Sequence, residues 1–185
     1  MSFIPQIHHR ESYRLKGYDY TQSGAYFITI CTNDSIHFFG EIINGEMILN
    51  DVGKVTHEYL NEIPNHFSNV KVGEFVVMPN HVHCVIILDN AFGIDGAGTS
   101  HVMSVQIPEK KLNAFSKPIP GSVSVIIQQF KASVKRWCNK NNHEEFKWQS
   151  RFHDVIIRDE ISYKRIANYI LDNPKKWGED KLKRK

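Results

Sequence analysis

Residues Val70 to Met78 and His81 to Leu88 are two runs rich in β-branched and apolar side chains, separated only by Pro79-Asn80. No other feature constrains the fold as much. A two-residue connection built from turn-favouring residues joins adjacent strands only in antiparallel sense. Ala25 to Thr32 (AYFITICT) adds a third strand, bounded by Ser23-Gly24 and Asn33-Asp34. Phe39 to Ile43 and Glu46 to Leu49 flank Asn44-Gly45, a pair that tolerates positive φ at both positions of a type I′ hairpin turn. Trp148 to Ile157 reads as a further short extended segment.

Between these strands the apolar period changes to that of a helix. Val52, Val55, Tyr59, Leu60 and Ile63 recur at helical spacing, with Asn50 or Asp51 as N-cap and Pro64 as the stop. Ser122 caps a second helix whose stripe runs through Val125, Ile126, Gln129, Phe130, Val134 and Trp137, ending near Asn141 and Asn142. A third runs from Asp159 to about Asp172 and is closed by Asn173-Pro174. Helices interspersed with an antiparallel sheet make an α+β layer, and a ferredoxin-like topology is the expected arrangement. With 185 residues, 41% of them hydrophobic, the chain suffices for one domain over 1–185. The stretch 89–121, with glycines at 93, 96 and 98 and three prolines, is expected to be a flexible insertion.

A net charge of +3 allows an anionic partner without requiring one. The distribution is more informative. Lys54 is the only lysine or arginine between Lys16 and Lys71, whereas basic residues crowd the chain after Phe130 and form a basic tail from about 178. A solvated lysine-rich surface and a polyanion-binding one both fit such a run. Cys31, Cys84 and Cys138 are far apart, which argues for reduced, packed thiols and against a disulfide framework or zinc knuckle. No apolar run has the length of a signal-peptide core or a membrane span, so a cytoplasmic protein with no membrane partner is expected.

Two constellations can carry chemistry. In MPNHVHCVIIL, His81 and His83 project from one face of a strand while Val82, Cys84 and Ile86 line the other. Two imidazoles so placed can grip a divalent ion or simply be hydrogen-bonded on a polar sheet face; a metal site needs a third ligand. On the last helix, Tyr169 and Asn173 are four residues apart and share a face. Separately these are an aromatic at core spacing and a C-cap. Together with the histidines they make a set suited to phosphodiester transfer. A tyrosine hydroxyl with a pKa near ~10 needs a nearby cation or base, and a metal on His81, His83 and the Asn173 oxygen would polarise a phosphate. Tyr163, six residues before Tyr169, is directed away from that face and is expected to pack. His153 and Asp154 could support the site, contact DNA or serve the strand, and His101 and His143 receive no role.

The segments MPNHVHCVII and WQSRFHDVIIRDEISYKRIANYILDNPKKW, with the N-terminal YRLKGYDYTQSGAYFITICT, resemble the single-tyrosine HUH transposases, especially the REP-associated tyrosine transposase branch. The resemblance spans about Arg14 to Trp177 and omits mainly 89–121. It implies a ferredoxin-like sheet, a Mg²⁺ or Mn²⁺ ion on His81 and His83, and Tyr169 as the nucleophile that forms a 5′-phosphotyrosine and releases a 3′-hydroxyl. Asn173 takes the place of the amide ligand, a glutamine in better-known insertion-sequence relatives, so its shorter side chain must be placed by the backbone. Implied partners are single-stranded or hairpin DNA, bound by a monomer or homodimer associated with the nucleoid. Lys131, Lys135, Arg136, Arg151, Arg158 and Arg165 are the expected phosphate contacts, with Trp148, Phe152 and tyrosines between them able to stack on bases or to pack. Two rivals are a domesticated hairpin-binding protein that does not cut and a metal hydrolase in which water attacks.

Overall fold

The computed structural model describes residues 18–89 and 119–183. Most of the 89–121 stretch lies outside the described residues. Among those described, the elements are β1 (Gly24–Cys31), β2 (Gly40–Ile43), β3 (Glu46–Leu49), α1 (Asp51–Asn61), a single turn α2 (Ile63–His66), β4 (Val70–Met78), β5 (His81–Leu88), α3 (Val123–Lys140), β6 (His153–Ile157) and α4 (Glu160–Asp172).

The main sheet has the order β4-β5-β1-β6 with every neighbouring pair antiparallel, and β2 and β3 form a separate hairpin. Leaving that hairpin aside, the chain runs β-α-β-β-α-β, the ferredoxin-like arrangement the sequence predicts. Alternation along the strands gives each face its own partners. Tyr26, Ile28 and Ile30 of β1 and Val82, Cys84 and Ile86 of β5 are completely buried in the main core, which takes in Val52 and Leu60 of α1 and Ile126, Ile127 and Val134 of α3. The other face carries a smaller cluster, Val85, Ile157 and Ile170, flanked by Phe27, Tyr163 and Ile166, and this is what holds α4 to the sheet. Cys31, Cys84 and Cys138 form no disulfide and are buried, as expected of packed thiols.

The turn chemistry explains the local boundaries. Asn44 and Gly45 have φ of 53° and 80°, the backbone a type I′ turn demands. Asn50, Ser122 and Asp159 each cap the helix that follows by accepting an amide hydrogen with the side chain. The first helix stops at Asn61, short of the expected Ile63, because Pro64 lacks an amide donor and the chain restarts as the turn α2. The strand expected over 148–157 narrows to 153–157, with Trp148 making one isolated bridge to Thr32.

The hairpin docks on α1 through Gly53, whose missing Cβ would lie 2.1 Å from the Phe39 carbonyl oxygen. Main-chain oxygen cannot move aside as a flexible side chain can. Gly53→Ala is therefore expected to lower stability by about 1–3 kcal/mol, read from the midpoint of urea unfolding. An unchanged midpoint would show that the hairpin is not fixed by this contact.

Candidate functional site

Because Val82 and Cys84 are committed to the core, the intervening His81 and His83 must emerge on the α4 face, where they are 0% and 2% exposed. The His81 Nδ1 lies 2.8 Å from the Asn80 Oδ1. The Asn80 amide nitrogen donates to the carbonyls of Ser35 at 3.2 Å and Leu182 at 2.9 Å, so its oxygen accepts from His81. His81 therefore carries its proton on Nδ1 and presents a bare Nε2. His83 Nδ1 is 2.9 Å from the Thr29 hydroxyl, directly across the β1–β5 register. Both histidines are depressed to about 3, His81 by burial and His83 by burial first, then by His81, with Asp180 opposing. Both rings are neutral at pH 7, the state in which an imidazole can bind a metal.

After α4 the chain turns back over this end of the sheet. Trp177 is buried, with its ring 6.0 Å from that of His81, and the turn Trp177–Glu179 delivers Asp180 to the histidines. The basic stretch from about 178 is thus anchored at the site while Lys181 and Lys183 stay exposed. Asp180 Oδ2 is 3.7 Å from His81 Nε2, and the ligand atoms of His81, His83 and Asp180 all lie within 4.8 Å of one another. Since His81 is neutral, this approach is not an ion pair. It sets a carboxylate lone pair against an imidazole lone pair. His81 Nε2, Asp180 Oδ2 and the Asn173 Oδ1 are buried without a hydrogen-bond partner, and such orphaned atoms are costly in a native interior. Two imidazole nitrogens and a carboxylate oxygen gathered this closely form a donor set that fits a divalent cation.

The Tyr169 hydroxyl lies 3.2 Å from His83 Nε2. Its ring packs at 5.3 Å on His83 and edge-on at 6.0 Å to Phe27, yet the residue as a whole is 43% exposed. Burial, and next the charge of Asp180, push its pKa above the ordinary value, with the Asn173 amide opposing. Tyr169 is therefore protonated at neutral pH until a cation or base intervenes. Asn173, one turn on and 3% exposed, is the C-cap of α4. Tyr163 is occupied elsewhere: its hydroxyl donates to Glu74 at 2.7 Å, beside the register shift between Val72 and Phe75.

No family model matches the chain. An uncharacterized protein of Haemophilus influenzae is 40% identical over 177 residues, which are 95% of this chain and 94% of that one. The two proteins belong to one family. Among solved structures, that of a REP-associated tyrosine transposase bound to a REP hairpin matches with a TM-score of 0.57 at 20% identity, covering 92% of this chain and 76% of the other. The chain has the REP-associated tyrosine transposase fold.

Within that fold, the expected site residues divide into two groups. His81, His83, Tyr169 and Asn173 converge on the α4 face. Lys131, Lys135 and Arg136 belong to α3, which covers the opposite face. Lys131 Nζ donates to the carbonyls of Gln149 and Ser150 at 2.6 and 3.4 Å, and Lys135 Nζ to those of Glu144 and Phe146 at 2.8 and 2.7 Å. These two ammonium groups hold the 144–150 segment against α3, and burial lowers the Lys131 pKa. Arg136 donates to Ser133. Arg151 and Arg158 flank β6, and Arg165 sits one turn before Tyr169 on α4; all three are exposed. Asp180 is the site residue that the sequence does not reveal. It stands beside Glu179 in a lysine-rich stretch, and only the turn at 177–179 decides which of the two carboxylates enters the cluster. No helix among the described residues is long and apolar enough to cross a membrane.

Proposed function

We propose that this chain is a divalent-metal-dependent DNA transposase that cuts and rejoins single-stranded DNA next to a hairpin, with Tyr169 as its nucleophile. One observation carries the reading: the hydroxyl of Tyr169, a residue 43% exposed, lies 3.2 Å from a buried imidazole of a cluster in which His81 Nε2 and Asp180 Oδ2 have no hydrogen-bond partner. The hairpin is carried over from the solved transposase, which is bound to one.

His81, His83 and Asp180, with the Asn173 amide oxygen, would hold Mg²⁺ or Mn²⁺, which when bound neutralises charge on the non-bridging oxygens of the phosphate. The protein's own groups do the rest. The Tyr169 oxygen attacks phosphorus and loses its proton to solvent. The P–O3′ bond breaks, the 3′ oxygen takes up a proton, and the DNA remains attached as a 5′-phosphotyrosine. Attack by a 3′-hydroxyl on that linkage reverses the step, so rejoining needs no nucleotide cofactor. Phe27 and His83 fix the tyrosine ring, and Thr29 fixes His83.

The test is a denaturing gel of the full chain with a labelled hairpin bearing single-stranded flanks, in Mn²⁺. A covalent protein–DNA band is expected. Free cleaved ends without adduct would indicate water as nucleophile, and intact shifted DNA a binding protein; either result sinks the proposal.

The distribution of cations yields a second expectation. Arg158 and Arg165 border the α4 face, whereas Lys131 and Lys135 are engaged with main-chain carbonyls. Neutralising Arg158 and Arg165 should flatten the slope of log affinity against log salt by about 0.7 per lost phosphate contact. Lys131→Met and Lys135→Met should instead lower stability and leave the slope alone. A slope that responds only to the α3 lysines would move the DNA to the opposite face.

A further inference from the structure

Asn80 occupies the turn between β4 and β5 and is 1% exposed, although a turn residue needs no such burial. Turn preference accounts for its backbone, whose carbonyl accepts from the Thr32 amide and hydroxyl, both at 2.9 Å. It does not account for the side chain. The amide nitrogen donates to two carbonyls, of Ser35 and Leu182, and the amide oxygen accepts from His81 Nδ1. A carbonyl can only accept, so a flipped amide would set oxygen against two oxygens. The orientation is locked.

We infer that Asn80 is a positioning residue for the metal centre, acting on two ligands through the two ends of one amide. This rests on the reading of the cluster as a metal site. At one end, Oδ1 holds the proton of His81 on Nδ1 and leaves Nε2 bare toward Asp180. At the other, Nδ2 pins the Leu182 carbonyl, and the Leu182 amide donates to Asp180 Oδ1 at 2.7 Å. With Oδ1 so engaged, Oδ2 is the oxygen turned to His81. The β4–β5 turn and the C-terminal segment, 102 residues apart in sequence, are thereby brought into register at the site.

The two ends can be separated by substitution. Asn80→Asp keeps an acceptor for His81 and loses both donors; Asn80→Ala loses everything. In the metal-free, ¹⁵N-labelled full chain, His81 should show the Nδ1–H tautomer in wild type and Asn80→Asp, and a mixture in Asn80→Ala. Amide hydrogen exchange at Leu182 should accelerate in both variants. Mn²⁺ titration should give a Kd raised roughly 10–100-fold in Asn80→Ala. A folded Asn80→Ala with the wild-type tautomer, Leu182 exchange and Mn²⁺ affinity would overturn the inference. If that variant does not fold, wild-type exchange at Leu182 in Asn80→Asp overturns it. Failure of the wild-type protein to bind Mn²⁺ is a different result. It removes the metal reading itself, and with it any role for Asn80 there.

Discussion

Tyr169→Phe should bind hairpin DNA, form no covalent adduct and cleave more slowly by on the order of 10⁴-fold or more, the scale of losing a covalent nucleophile. The substitution deletes one oxygen and keeps the ring, so the contacts with Phe27 and His83 remain. The lost hydrogen bond to His83 is only partly buried, and its removal should change stability by no more than about 1 kcal/mol. Loss of activity would therefore not be loss of fold. Tyr163→Phe is the control. It deletes the hydroxyl that donates to Glu74, should cost about 0.5–1.5 kcal/mol, and should retain adduct formation. Mass spectrometry of the trapped complex locates the attached residue. DNA on Tyr163, or cleavage surviving in Tyr169→Phe, would show that the chemistry belongs to another group.

Mn²⁺ should stabilise the folded protein by about 2.7 kcal/mol at a free concentration one hundred times its Kd. For a chain of this size that is a rise in Tm of roughly 5–10 °C. The combined His81→Ala and His83→Ala substitutions should abolish the rise, since neither remaining oxygen brings a nitrogen donor. Asp180→Asn should act in opposite directions with and without metal. In the metal-free protein it replaces a buried carboxylate facing a bare imidazole nitrogen with an amide that can donate to it, so Tm should stay level or increase. With Mn²⁺ the variant should gain less than wild type, having lost the one charged ligand. Differential scanning calorimetry measures both. A full Mn²⁺ shift in the double histidine variant, or in Asp180→Asn, would show that the ion binds elsewhere.

The fold was legible to the extent that it is local. The strand pair at 70–88, the Asn44-Gly45 hairpin, the cap at Ser122 and the helix starts at Asn50 or Asp51 and at Asp159 all follow from turn geometry and side-chain period, quantities set by neighbours in sequence. The placement of His81 and His83 on one face was equally local, because alternation along a strand allows no other outcome. So was the pairing of Tyr169 with Asn173 one helical turn apart. That these two faces meet was not local. It depends on the small cluster of Val85, Ile157 and Ile170 that seats α4 on the sheet, a contact between segments far apart in the chain.

The charge pattern does not show what each cation touches. Lysine 131 and lysine 135 look like solvated cations in sequence, yet the loop at 144–150 has carbonyls without strand partners, and a long flexible ammonium on the adjacent helix satisfies them. Asp180 went unseen for the converse reason. A carboxylate in a lysine-rich stretch reads as solvated, and nothing nearby in sequence marks it as buried. Strands, helices and the side chains that share a face follow from period and turn chemistry, which act over a few residues. Which faces meet, which lysines are engaged and which acid joins the histidines depend instead on long-range contacts such as Asn80 to Leu182, which no local rule encodes.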